Sequence, residues 1–152
     1  MNFDFRFKAS NNAKKLRDNI ELQSNKVVRE YLETVVEFLE EKMNEPKTGR
    51  QYTVKDPVSG QSFTYTASAP NEYPGIKFGR LVADIQVKTA PGSNQYITKF
   101  IIGTDQPHGQ ILEEKDPFKG GRPWLSRALK EHEDILKMKL QGLVGNNNAS
   151  DS

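Results

Sequence analysis

The chain has 152 residues, 35% of them hydrophobic and 28% charged, with 22 basic against 20 acidic side chains and a net charge of +2. That length suits one domain with a real core, provided the modest apolar content is gathered on defined faces. Net charge this small lies far from the basic footprint of a dedicated nucleic-acid binder. The absence of cysteine removes disulfides, thiol catalysis and thiolate metal sites.

No apolar run reaches the length needed to span a bilayer. The first residues, Met1-Asn2-Phe3-Asp4-Phe5-Arg6-Phe7, lack the continuous apolar stretch of a signal peptide, so a cytoplasm-like compartment is expected. Phe3, Phe5 and Phe7 alternate with charged residues, which reads as a strand buried on one face or an edge that pairs with a neighbour.

Ser10 or Asn11 is placed to cap a helix. From Ala13 to Met43 the apolar residues fall at Ala13, Leu16, Ile20, Val27, Val28, Tyr31, Leu32, Val35, Val36, Leu39 and Met43. These steps of three and four describe one long amphipathic helix, stopped by Pro46 and Gly49. The pattern thins at Gln23-Ser24-Asn25, and two shorter helices are the alternative. Unbroken, about 33 residues reach roughly 50 Å. A globule of this chain length is about 40 Å across, so the helix is expected to overhang its domain or lie on a second subunit.

Gln51–Lys55 and Ser62–Thr66 are rich in β-formers and flank the turn cluster Asp56-Pro57-Val58-Ser59-Gly60-Gln61, a hairpin with one polar face. Residues 67–77 carry Pro70, Pro74 and Gly75 without periodicity and read as a loop. Gly79–Lys88 leads into a strand, Pro91-Gly92-Ser93-Asn94 turns, and Gln95–Gly103 is a second strand. Leu81, Val87, Ile97, Phe100 and Ile101 are expected to hold this sheet against both long helices. Residues 105–121 form a polar connection with a short helical turn at Gln110–Glu113. Pro123 suits the first position of a last helix that buries Leu125, Ala128, Leu129, His132, Ile135, Leu136 and Leu140. The expectation is α+β: an antiparallel sheet of four to five strands packed by a long N-terminal helix and a C-terminal helix. One domain is drawn over residues 1–145, with a disordered tail at 146–152.

Residues suited to chemistry are sparse. His132-Glu133-Asp134 is followed by Leu136 where a second metal ligand would stand, and His108 has no histidine partner at ligand spacing. No glycine pattern forms a phosphate cradle, and no serine sits in a nucleophile-elbow context. Acidic pairs such as Glu113-Glu114 suit a solvated surface better than acid–base catalysis. The expectation is therefore no enzyme, no metal, no cofactor and no small-molecule substrate.

Three segments carry a family resemblance. Ala67-Ser68-Ala69-Pro70-Asn71-Glu72-Tyr73-Pro74 is a Pro-rich loop. Phe78-Gly79-Arg80-Leu81-Val82-Ala83-Asp84-Ile85 is close to a Thr-Gly-x-Leu-x-x-Ser-Ile entry into a strand, with Phe78 and Asp84 departing from it. Gly121-Arg122-Pro123-Trp124-Leu125-Ser126-Arg127-Ala128-Leu129 is similar to an Arg-Pro-Phe-Leu-x-x-Ala-Leu helix start. In this order, after a long helix, they resemble the head–tail joining, or tail-completion, proteins of long-tailed double-stranded-DNA bacteriophages. The resemblance spans most of residues 10–140. One departure is Leu112-Glu113-Glu114-Lys115-Asp116, which lacks the glycine and threonine of the family's Leu-Glu-x-Gly-Thr.

The resemblance implies a structural virion protein of the neck, made in the host bacterial cytoplasm. Its partners would be copies of itself in a ring, often six-fold, together with the portal or connector and the tail-tube proteins. Passing contact with genomic DNA is included; no membrane is. Candidate interface residues are Phe3, Phe5, Phe7, Tyr31, Tyr73, Pro74, Arg80, Arg122 and Trp124. A small nucleic-acid-binding protein is the alternative, resting on the scattered Lys14, Lys15, Arg17, Lys77, Arg80, Lys119, Arg122 and Arg127. A hydrolase using Glu113 or His108 is a third reading, with no support beyond the presence of those residues.

Overall fold

A computed structural model describes residues 2–3, 14–77, 79–93 and 98–149. Its elements, in chain order, are β1 (Asn2–Phe3), α1 (Lys14–Asn44), β2 (Gln51–Lys55), β3 (Ser62–Thr66), α2 (Arg80–Ala83), β4 (Gln86–Thr89), β5 (Phe100–Gly103), α3 (Pro107–Glu114), a 3-10 turn (Pro117–Lys119) and α4 (Leu125–Ala149). Chain contacts divide these into two compact units. The first takes Met1–Val36, Gln86–Gly103 and Ala128–Ser152; the second takes Glu37–Ile85 and Thr104–Arg127.

α1 is unbroken over 31 residues, roughly 46 Å of helix. The thin stretch does not interrupt it because Ser24 carries the buried stripe onward. That side chain is only 5% exposed. Its hydroxyl donates to the Glu21 carbonyl at 3.0 Å, so the buried oxygen is satisfied within the helix. From Ser24 the buried positions run through Val28, Tyr31, Leu32, Val35, Leu39 and Met43, one face of a 3.6-residue repeat.

The expected sheet of four to five strands is not formed. Among the described residues the strands fall in two small sheets, one per unit. The first unit holds β4 and β5, antiparallel, with two residues of β1 added on the far side of β5 in the order β1-β5-β4. The second unit holds the β2–β3 hairpin alone. β2 explains the split. Its residues are exposed at every position but Val54, which is half-buried, so it has no apolar face to lay into a larger core sheet.

In the first unit, period-two alternation puts Phe100 and Ile102 on the buried face of β5, and Ile101 on the other, half-buried. Val87 is also half-buried, and Ile97 lies outside the described residues. α1 crosses this sheet at Arg29, whose guanidinium stands 5.4 Å over the Phe100 ring and donates to the Thr89 hydroxyl at 3.3 Å. α4 packs on α1 through Leu129, whose carbonyl accepts the buried Tyr31 hydroxyl at 3.0 Å. Along α4, Ala128, Leu129 and Leu136 are buried and His132 and Leu140 half-buried, whereas Ile135 is 46% exposed, against expectation. α4 continues through Ala149; residues 150–152 lie outside the described set.

In the second unit, two further backbone bonds extend the hairpin: the Gly49 amide donates to the Ala67 carbonyl at 2.9 Å and the Ala67 amide to the Arg50 carbonyl at 3.0 Å. The stretch after Gly79, expected to enter a strand, is instead the helical turn α2, and the strand starts only at Gln86. Gly79 adopts a left-handed φ of 72°, which turns the chain into α2. Asp84 ends that turn by accepting the Thr104 hydroxyl at 2.6 Å and the Asp105 amide at 2.7 Å.

Candidate docking site

The second unit contains the described residues of all three segments singled out in the sequence, through Arg127, and the first and third bond to each other. Arg122 joins the third segment to the first. Its Nε and Nη2 donate to the Ser68 carbonyl at 3.2 and 2.8 Å, and Nη1 donates to the Pro117 carbonyl at 3.2 Å. Arg127 lies 4.3 Å over the Tyr73 ring and donates to the Asn71 carbonyl at 2.9 Å. Tyr73 also meets Phe38 edge-on, with ring centres 5.6 Å apart. Glu72 closes the loop by accepting the Thr48 hydroxyl at 2.6 Å and the Ala69 amide at 2.7 Å, bonds that hold its carboxyl below the ordinary glutamate range. The second segment joins the third beside Gly109, where Leu81 and Trp124 lie against the same spot.

The start of α4 is built by a carboxylate from another element. Glu113, on α3, accepts the Trp124 and Leu125 amides through Oε2, both at 2.8 Å, and the Ser126 amide through Oε1 at 3.0 Å. Three of the four amides that a helix start leaves open are thus taken by one negative charge at the positive end of the helix dipole. Sequence reading placed Glu113 on a solvated surface or, without support, in a hydrolase, and did not foresee this role. The available signal was the Leu112-Glu113 pair before the last helix, whose purpose is invisible until α3 and α4 meet. Helix α4 accordingly begins at Leu125, not at Pro123.

The candidate interface residues fare differently. Tyr31, Tyr73 and Trp124 are 3%, 4% and 2% exposed, and Pro74 is buried. Their surface is used within the chain, and Trp124 further donates its indole N–H to the Gly109 carbonyl at 2.9 Å. Arg122 is half-buried in the clamp just described. Phe3 stands in β1 opposite Phe100, while Phe5, Phe7 and Phe78 lie outside the described residues. Arg80 is exposed and lines a cavity.

That cavity has a volume of about 590 Å³ and lies within the second unit. One wall comes from Met43, Tyr65 and Ile76, the other from Leu81, Ile111 and Leu112. Lys77, Arg80 and His108 stand around it, and no carboxylate lines it. Its size lies in the range of ligand and peptide pockets. Elsewhere among the described residues of this unit, Phe118 is 94% exposed, Val58 90% and Tyr52 47%. Among the described residues no helix is long and apolar enough to cross a membrane, and no three acidic or histidine side chains gather as a metal set.

Comparison with family models, with curated proteins and with solved structures finds no match to this chain.

Proposed function

We propose that this chain is a structural virion protein of the bacteriophage neck, which completes the tail or joins the head connector to the tail by assembling into a ring. The observation that carries the reading is the convergence of the three family-like segments. Arg122 and Arg127 of the last bond directly to the loop formed by the first, 54 and 56 residues away, and Leu81 of the second and Trp124 of the last both lie beside Gly109. The role is mechanical, without catalysis, cofactor or small-molecule substrate. A heterologous contact between copies, one patch meeting a different patch on the next, generates such a ring when the rotation closes.

Light scattering of the purified protein, followed by electron microscopy of particles carrying a labelled copy, tests this. A discrete multimer and label at the head–tail junction are the expected results. A monomer at every concentration, with particles that join normally in its absence, overturns the reading. Duplex DNA binding that collapses between low and physiological salt would support a nucleic-acid-binding protein instead.

A further inference from the structure

The β2–β3 hairpin of the second unit leaves one strand edge open. Its register is constant from Gln51↔Thr66 to Lys55↔Ser62. The ladder continues one pair further at each end: the Asp56 amide donates to the Gln61 carbonyl at 2.8 Å, and the Ala67 amide to the Arg50 carbonyl at 3.0 Å. Bonded and non-bonded pairs alternate in an antiparallel ladder, so Tyr52 and Val54 direct their backbone groups at β3. The amides and carbonyls of Gln51, Thr53 and Lys55 point the other way, and among the described residues no strand lies beyond them. The opposite edge, that of β3, borders the end of α1, where Met43, Pro46 and Thr64 line a common hollow. Apart from the charge of Lys55, nothing blunts the β2 edge: it runs five residues in one register, without proline. Such an edge is a template for one more extended strand.

The strand that fits best is β2 itself. Laid antiparallel on a copy of itself about Thr53, Arg50 stands opposite Asp56 of the second copy, Gln51 opposite Lys55, and Tyr52 opposite Val54. Each of these pairings occurs twice. Opposite charges face each other at both ends, apolar side chains face each other between them, and Lys55 meets the neutral Gln51 side chain. The same register brings the outward backbone groups of Gln51, Thr53 and Lys55 onto one another, as a ladder requires. Arg50, Tyr52, Val54 and Asp56 then occupy the non-hydrogen-bonded positions, where facing side chains approach most closely. Tyr52 is 47% exposed and Val54 half-buried, so both have surface left to cover. Neither end charge has a counter-charge in its own chain. The Arg50 guanidinium stands 5.5 Å over the Tyr52 ring, and the Asp56 carboxylate accepts the Val58 and Ser59 amides through Oδ1. Among the described residues no ion pair engages either.

We infer that β2 of one copy pairs antiparallel with β2 of a second copy about Thr53, joining the two hairpins into one four-stranded sheet. Two strands alone are marginal, whereas three or more make a stable sheet. The contact is isologous, one patch meeting the same patch, so it closes on two copies. It goes beyond the ring reading, whose contact is heterologous, and it stands or falls separately.

The chain has no cysteine, so introduced thiols report the register. Under a mild oxidant Thr53→Cys is expected to give disulfide-linked dimers, because position 53 meets itself on the two-fold axis. Gln51→Cys and Lys55→Cys are each expected to stay unlinked alone and to cross-link when mixed. Gln51→Lys is expected to weaken the pairing by roughly tenfold and Gln51→Glu to tighten it by a similar factor, since each change sets two charges against Lys55. Thr53→Pro removes an outward amide without touching a bond within the hairpin. With its fold checked by circular dichroism, it is expected to lose the pairing in analytical ultracentrifugation. Thr53→Pro chains that pair like the parent, or Gln51→Cys chains that cross-link alone as readily as Thr53→Cys, overturn the proposal. Rings that form without the Thr53→Cys link overturn the pairing alone; linked pairs that never form a ring overturn the ring reading alone. Thr53→Pro chains that self-associate normally but no longer join heads to tails overturn the second copy as occupant and assign the β2 edge to an extended segment of another virion protein.

Discussion

The indole N–H of Trp124 donates to the carbonyl of Gly109 at 2.9 Å, while the ring covers the face of Gly109 where a side chain would project. The only tryptophan of the chain is thereby a keystone between α3 and the start of α4, both in the second unit. Trp124→Phe keeps most of the packing but strands the Gly109 carbonyl, and should cost about 1–2 kcal/mol. Trp124→Ala should cost about 3–5 kcal/mol. Chemical denaturation followed by circular dichroism measures both; a Trp124→Phe variant as stable as the parent would mean the hydrogen bond contributes nothing.

Gly109 and Gly121 tolerate no side chain for different reasons. At Gly109 an added methyl lies 2.6 Å from the Thr104 methyl and 2.8 Å from a Leu81 methyl, both side-chain tips that can shift. Gly109→Ala should cost about 1–3 kcal/mol. At Gly121 the obstacle is the Lys115 backbone, which cannot yield. Gly121→Ala is expected to fall below the soluble folded fraction altogether, read as recovery in the supernatant after expression.

Glu113 caps α4 from outside that helix. Glu113→Gln preserves shape but removes the charge and one acceptor, and should lower stability by about 1 kcal/mol; Glu113→Ala should lower it by about 2 kcal/mol. Hydrogen exchange at the amides of Trp124, Leu125 and Ser126 gives the local readout, with faster exchange in both variants.

Arg122 depends on a planar fork. Lysine at that position is a single point charge and cannot serve the Ser68 and Pro117 carbonyls together. Arg122→Lys should loosen residues 67–74 and raise their rate of limited proteolysis, with a stability loss of about 1–2 kcal/mol. Unchanged nicking of that loop would assign its order to Tyr73 and Glu72 instead.

Two pH limits follow from groups at opposite ends of the scale. Tyr31 is buried and its hydroxyl proton is needed by the Leu129 carbonyl, so burial, with the Glu133 charge adding to it, pushes its ionisation up to about 12 from 10.0. A raised pKa means that its contribution is complete below pH 10 and is lost as pH climbs towards 12. Asp56 and Glu72 are held low by backbone and side-chain hydrogen bonds. Their contributions are present above the ordinary carboxylate range and vanish as pH falls through it. Tyr31→Phe should flatten the alkaline limb of a stability–pH curve, and Glu72→Gln the acid limb.

The residue pattern alone specified the two long helices, the α+β class and the β2–β3 and β4–β5 hairpins. Each rests on contacts between near neighbours, where a repeat of 3.6 or 2 decides which side is buried. Ser24 illustrates how far this reaches: a polar residue that seemed to interrupt the repeat occupies a buried position because its hydroxyl bonds one turn back. Tertiary structure alone decided that the strands divide between two sheets, that Gly79–Asp84 coils instead of extending, and that α4 takes its cap from Glu113. It also decided that Trp124 and Tyr73 face inward while Phe118 faces solvent. These outcomes depend on groups many residues apart competing for the same amides, carbonyls and apolar surface. Local preference carries no record of which distant partner will win, so burial and bonding appear only once the chain has closed on itself.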